Sequence, residues 1–166
     1  MEKFWREVLW GQMGGAIDSL ESAMILCPDH IWGDRSREPE FWYLVYHTLF
    51  FLDYYTSKSP DGFAPPEPFT LSEADPAGVL PERVYTKGEL HTYLDHGREK
   101  CRAAIAAMTE ETAREIRRFP SIEGPALEIH LSNMRHIQHH AAQLNLILRQ
   151  KIDNAPRWVR RTNWKL

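Results

Sequence analysis

The chain is short of cysteine. Cys27 and Cys101 are its only two, they lie far apart, and no C-x-x-C pair is present to serve as a zinc knuckle or a dithiol redox motif. This usage fits a reduced, cytoplasmic setting. Long hydrophobic runs are also missing: no stretch approaches the ~20 uncharged apolar residues that a membrane span requires. The first residues, MEKFWREVLWGQMGG, carry Glu and Arg among their apolar positions, unlike the core of a signal peptide. Nor is there an excess of positive charge. Twenty Lys plus Arg against 23 Asp plus Glu leave a net charge of -3, which argues against the basic surface that a phosphate backbone demands. Neither nucleic acid nor membrane is an expected partner, and 166 residues suit one domain with its own core, covering 1–166.

What is present is helical patterning. Trp5, Leu9, Ala16, Leu20, Ala23 and Cys27 recur at core-facing spacing between Glu2 and Cys27, where Pro28 ends the segment. A charged loop, Asp29 to Glu38, leads to Pro39, placed for the first turn of a second helix over Glu40 to Tyr55. That helix, EFWYLVYHTLFFLDYY, is apolar nearly all round. It should be the most buried of the set, or else give one face to a subunit interface. Thr56 to Tyr85 holds six prolines between Pro60 and Pro81 and reads as a long ordered crossover without repeats. Thr86 and Glu89 have the spacing of a capping box, opening a helix over Lys87 to Met108. A short helical piece, Glu110 to Arg118, breaks at Phe119-Pro120, and Pro125 opens a last long helix to Ile152, followed by a basic tail from Pro156. With no strand alternation, the expected fold is all-α: a four-helix bundle with a long crossover between helices 2 and 3.

The eight histidines are sorted by position. In the last helix Ile129, Asn133, His136, His140, Gln143 and Ile147 share one stripe, with polar groups in its middle. His136 and His140, four apart, have Cβ atoms about 6 Å apart and can turn two imidazoles toward one ion. His47 sits mid-seam in the aromatic second helix with Leu44, Phe51 and Tyr54. A lone buried imidazole without partners costs roughly 1–3 kcal/mol, which ligation removes. Spacing alone leaves both metal binding and ordinary core packing open. His139 lies about 60° and about 100° around the helix from His136 and His140, so it joins one only by displacing the other. His130 is turned away from the seam and reads as a flank or interface residue; His91 and His96 diverge, and His30 lies in a loop.

A His in an aromatic second helix, a long crossover and then H-x-x-x-H-x-x-Q-L, carried by His47, His136, His140, Gln143 and Leu144, resembles the DinB-like (YfiT-like) superfamily. The resemblance spans nearly the whole chain, although its specific part is these five residues. It implies a bundle in which His47, His136 and His140 bind a divalent ion, zinc or nickel, with open positions for water or substrate. Characterised members include thiol-dependent enzymes such as bacillithiol S-transferases and mycothiol-dependent maleylpyruvate isomerase. Many members carry Arg-Gly where this chain has Ala141-Ala142, so the substrate does not transfer by analogy.

The functional expectation is metal-assisted chemistry on a small-molecule substrate, either transfer of a low-molecular-weight thiol to an electrophile or hydrolysis. A non-catalytic, metal-stabilised dimeric protein acting in binding or stress response is the rival. Asn133 and Gln143 are candidates to orient a ligand or a water, or else polar residues of a helix contact. Asp53 is a candidate acceptor for the site, with a solvated helix-end carboxylate as the plainer reading. Trp32 and Trp42 read as core or loop anchors. The tail, with Arg157, Trp158, Arg160, Arg161 and Trp164, either packs or meets an anionic cofactor, and the apolar second helix suggests a homodimer.

Overall fold

The computed structural model describes residues 2–36, 38–75 and 80–166. Within them the chain is mainly helical: α1 (Glu2–Leu26), α2 (Asp29–Trp32), α3 (Phe41–Thr56), α4 (Lys87–Ala107), α5 (Glu110–Arg114) and α6 (Ala126–Ile152). A two-stranded antiparallel sheet, β1 (Ile116–Phe119) and β2 (Ile122–Pro125), precedes α6, and a 3-10 turn, Leu71–Ala74, lies in the connection from α3 to α4. No helix among the described residues is long and apolar enough to cross a membrane.

The apolar stripes meet in one core. α1 packs on α6 and α4, and α3 packs on the same two helices. Leu9, Ala16, Leu20, Ala23 and Cys27 of the α1 stripe are buried, with Met13, Ile17 and Met24 beside them. On α4, Leu90, Leu94, Gly97 and Cys101 face inward. α3 has no exposed residue, so the near-continuous apolar surface of this helix is covered within its own chain. The Thr86–Glu89 capping box is formed, each side chain accepting from the other residue's backbone N–H. Trp32 and Trp42 are buried anchors, their indole N–H groups donating to the Tyr85 carbonyl and the Glu40 carboxylate.

Four expectations need correction, the first being the loop from Asp29, which opens with the short helix α2 that carries His30. The helical piece read as Glu110 to Arg118 stops at Arg114, and Ile116 pairs with Pro125 and Phe119 with Ile122. Phe119 precedes Pro120 and is biased away from the α region, while β-branched Ile116 and Ile122 suit paired strands. The second helix starts at Phe41 with Glu40 as its N-cap, leaving Pro39 outside it. His130 is fully buried rather than on a flank.

The tail lies along α1 at residues 160–164. The Thr162 N–H donates to the Gly11 carbonyl at 3.0 Å, and the Trp10 indole N–H donates to the Trp164 carbonyl at 2.8 Å. A Cβ on Gly14 would stand 2.5 Å from the Thr162 methyl, so a residue without a side chain is required for this approach. This part of the tail thus packs on α1, with Arg98 of α4 set over the Trp164 ring, while Trp158 is exposed.

Candidate metal centre

Two helices place the histidines. His47 stands midway along α3, while His136 and His140 are one turn apart on α6, the helix packed against it. The distance from His47 Nε2 to His136 Nε2 is 3.1 Å, and that from His140 Nε2 to His136 Nε2 is 3.0 Å. Ring centroids are 4.5 to 5.1 Å apart. Among the described residues these three form the one group of His, Cys, Asp or Glu with ligand atoms converged for a metal ion.

The arrangement is electrostatically incomplete. A neutral ring nitrogen offers one proton or one lone pair, so His136 Nε2 can complete a linear hydrogen bond with only one of the two nitrogens facing it. His140 Nδ1 lies 2.7 Å from Gln143 Oε1; a carbonyl oxygen accepts, so the proton is on Nδ1 and the Nε2 lone pair points to the centre. Protonation does not fill the gap. Burial, reinforced by the neighbouring imidazoles, holds His136 down at about 3, and burial holds His140 at about 4 against the Gln143 bond. Neutral imidazoles with inward lone pairs are the form that a divalent cation requires. Zinc–nitrogen bonds of ~2.0–2.1 Å in a tetrahedral arrangement put ligand nitrogens ~3.3 Å apart, close to the spacings found. The donor set fits zinc, nickel or a similar ion.

Aromatic rings wall the group. Phe51 lies edge-on to His47 at 4.9 Å and to His136 at 5.5 Å, and Tyr43 is 6.3 Å from His47. His47 keeps 25% of its side chain exposed, so the centre remains open to solvent on one side. His139 is exposed, its ring 5.0 Å from that of His140, and it is not among the three converged ligands.

The other candidates separate. Gln143 supports His140 directly. Asn133 is buried and donates to the Leu52 carbonyl at 3.2 Å, tying α6 to α3; its Oδ1 finds no partner. Asp53 is neither solvated nor bonded to His47, His136 or His140; the imidazole near it is that of His96, 3.5 Å from its carboxylate. It is wholly buried, with Lys100 Nζ 2.5 Å and Tyr93 Oη 3.2 Å from its carboxylate. Periodicity gives no sign of the group that does reach His47 from outside the two helices, on the ring side away from the centre: Glu73, in the 3-10 turn, whose Oε1 lies 2.5 Å from His47 Nδ1 and accepts from Tyr43 at 3.2 Å. A proline-rich connection offers no register from which a side-chain direction can be read.

A cleft of about 840 Å³ between α1, α5 and α6, lined by Trp5, Val8, Leu131 and Met134, contains none of these histidines. It is mostly apolar and holds no group of ligand atoms, so the chemistry points to the histidines and not to the cleft. Cys27 and Cys101 are both buried, and burial pushes each thiol up to about 12. Comparison of the chain with protein-family models, with curated proteins and with solved structures returned no match.

Proposed function

We propose that this is a divalent-metal-binding four-helix bundle with a long crossover, similar to the DinB-like superfamily, in which His47, His136 and His140 hold the ion. The observation that carries the reading is the meeting of three imidazole nitrogens that cannot satisfy one another. Open coordination is favoured over a closed structural site, since no fourth His, Cys, Asp or Glu atom joins the three among the described residues. When bound, such an ion lowers the pKa of a water or holds a thiol as its thiolate.

The reaction proposed is transfer of a low-molecular-weight thiol to an electrophile, with hydrolysis of a small molecule as the near alternative. The chain's own residues then have distinct tasks. Burial keeps His136 and His140 neutral. Gln143 holds the His140 ring with its lone pair inward, and Phe51 and Tyr43 limit water at the centre. A non-catalytic binding protein would instead be supported by a fourth ligand from the chain.

The metal is tested on tagless protein by elemental analysis of wild type, His47→Ala and His136→Ala. Near-stoichiometric zinc or nickel in wild type and loss in both variants is expected; equal content in all three sinks the site. Catalysis is tested by conjugation of several thiols to a generic electrophile, with and without chelator. Turnover indifferent to chelator removes the transferase reading.

A further inference from the structure

Glu73 is a buried carboxylate with an unusual set of neighbours. Its side chain is 5% exposed, yet its only ion-pair partner among the described residues is His47, and its Oε2 has no hydrogen-bond partner at all. Burying an anion in this way is costly without a compensating positive charge. Tyr43 supplies a neutral donor to Oε1, and His47 supplies Nδ1 on the side of the ring opposite to the nitrogen that faces His136. A carboxylate in this place can only accept, so the bond fixes the His47 proton on Nδ1 and leaves Nε2 as a lone pair aimed at the centre.

The position of Glu73 in the chain adds a second element. The connection is held independently just before it: Phe69 is buried and stacked on Tyr93 with centroids 4.3 Å apart, and Tyr46 donates to the Thr70 carbonyl at 3.1 Å. Beyond that anchor, Leu71, Ala74 and Asp75 are exposed, while the Glu73 side chain is turned inward. The 71–74 turn thus meets the body of the protein through Ser72, which bonds the Tyr46 side chain, and through a carboxylate whose charge is incompletely balanced.

We propose that Glu73 is a positioning residue which holds His47 in its Nδ1–H form for ligation, and that the docking of the 71–74 turn is thereby coupled to metal at the three histidines. The inference rests on the metal reading above. A cation at Nε2 polarises the ring, strengthens the Nδ1–H bond to the carboxylate and supplies the missing positive charge across the imidazole. Occupancy of the centre and closure of the turn then favour each other through one imidazole ring, as reciprocal linkage requires.

The test uses the full chain, zinc as the metal, and Glu73→Leu and Glu73→Gln as variants. Long-range proton–nitrogen NMR on metal-free protein reads the His47 tautomer directly: Nδ1–H is expected in wild type, and a shift to the Nε2–H form that free imidazole favours is expected in Glu73→Leu. Competition against a chromophoric chelator should show zinc held about 10- to 100-fold more weakly by Glu73→Leu, with Glu73→Gln, whose amide oxygen still accepts, closer to wild type. Zinc should slow amide exchange over residues 71–75 in wild type and leave it unchanged in Glu73→Leu. An Nε2–H His47 in metal-free wild type overturns the proposal, as does a Glu73→Leu protein that melts earlier yet keeps wild-type zinc affinity per folded molecule. A wild-type protein with the Nδ1–H tautomer that takes up no zinc supports the fixing of the ring and overturns the metal reading instead.

Discussion

His47 and Asp53 lie six residues apart on α3, the most apolar helix of the chain, and they bring polar chemistry into its packing in opposite ways. Asp53 is finished: Lys100 bridges its carboxylate, its own backbone carbonyl and Ser57, and Tyr93 donates from a third side. Each acceptor meets a donor, as a buried charge must. The histidine group is unfinished: His136 Nε2 faces two ring nitrogens and its Nδ1 has no partner. Asp53 thus joins α3 to α4, whereas the three ring nitrogens, with His47 partly open to solvent, are the arrangement on which the metal proposal rests.

The comparison breaks most visibly at Asp53. Asp53→Ala leaves the Tyr93 hydroxyl without its acceptor and Lys100 with only the backbone carbonyl of residue 53 and Ser57, and should cost about 3 kcal/mol in urea denaturation, with zinc content per folded molecule unchanged. A loss below about 1 kcal/mol would place this pair with ordinary surface ion pairs. His136→Ala should do the reverse. It costs the metal-free protein less than Asp53→Ala does, but abolishes the stabilisation of about 2.7 kcal/mol that zinc at a hundred times its Kd confers on wild type. Melts with and without zinc check this, and an undiminished shift in the variant would remove His136 from the ligand set.

Acid should sharpen the contrast further. Burial, with His140, His47 and His139 adding to it, holds His136 at about 3; burial also holds His140 at about 4, and His130 at about 4 with Arg117 contributing. All three lie below the ordinary value near 6.5, so the unfolded chain binds more protons than the folded one between the two values. Stability of the metal-free protein is therefore full above about pH 6.5 and falls as the pH drops toward 4, by roughly 1 kcal/mol per pH unit for fully buried His130. Urea midpoints at pH 7, 5.5 and 4.5 measure the slope, and a flat series would mean that these rings are not desolvated. The smallest effect is expected at Gln143→Leu, which removes the acceptor of His140 Nδ1 and should weaken zinc about 10-fold while leaving the fold intact; competition titration detects it.

What the sequence revealed and what it hid divide along the same physical line. The stripes of α1 and α4, the Thr86–Glu89 cap and the His136/His140/Gln143 alignment all depend on residues within a turn or two of each other, where helical period dictates direction. The surroundings of Asp53 are not legible in the sequence because its partners stand on α4, and nothing local to α3 announces Lys100 or Tyr93. Glu73 was invisible because a segment rich in proline has no period to read. Residues 115–118 read as helix in the sequence because four paired residues are too few for alternation to outweigh a neighbouring helix. The glycines at 11, 14 and 15 did carry a readable sign, small residues along one face of α1, which the tail at Arg161 and Thr162 explains.

The two buried cysteines have a practical corollary. Since Cys27 and Cys101 lie in the core with their thiols pushed up to about 12, a sulfur-specific dye added to the folded protein should register no signal from either. Depletion of an added small thiol can then be followed colorimetrically without subtracting a protein blank. By the same token, one cysteine introduced on an exposed face accepts a spin or fluorescent label alone, with both native residues left in place.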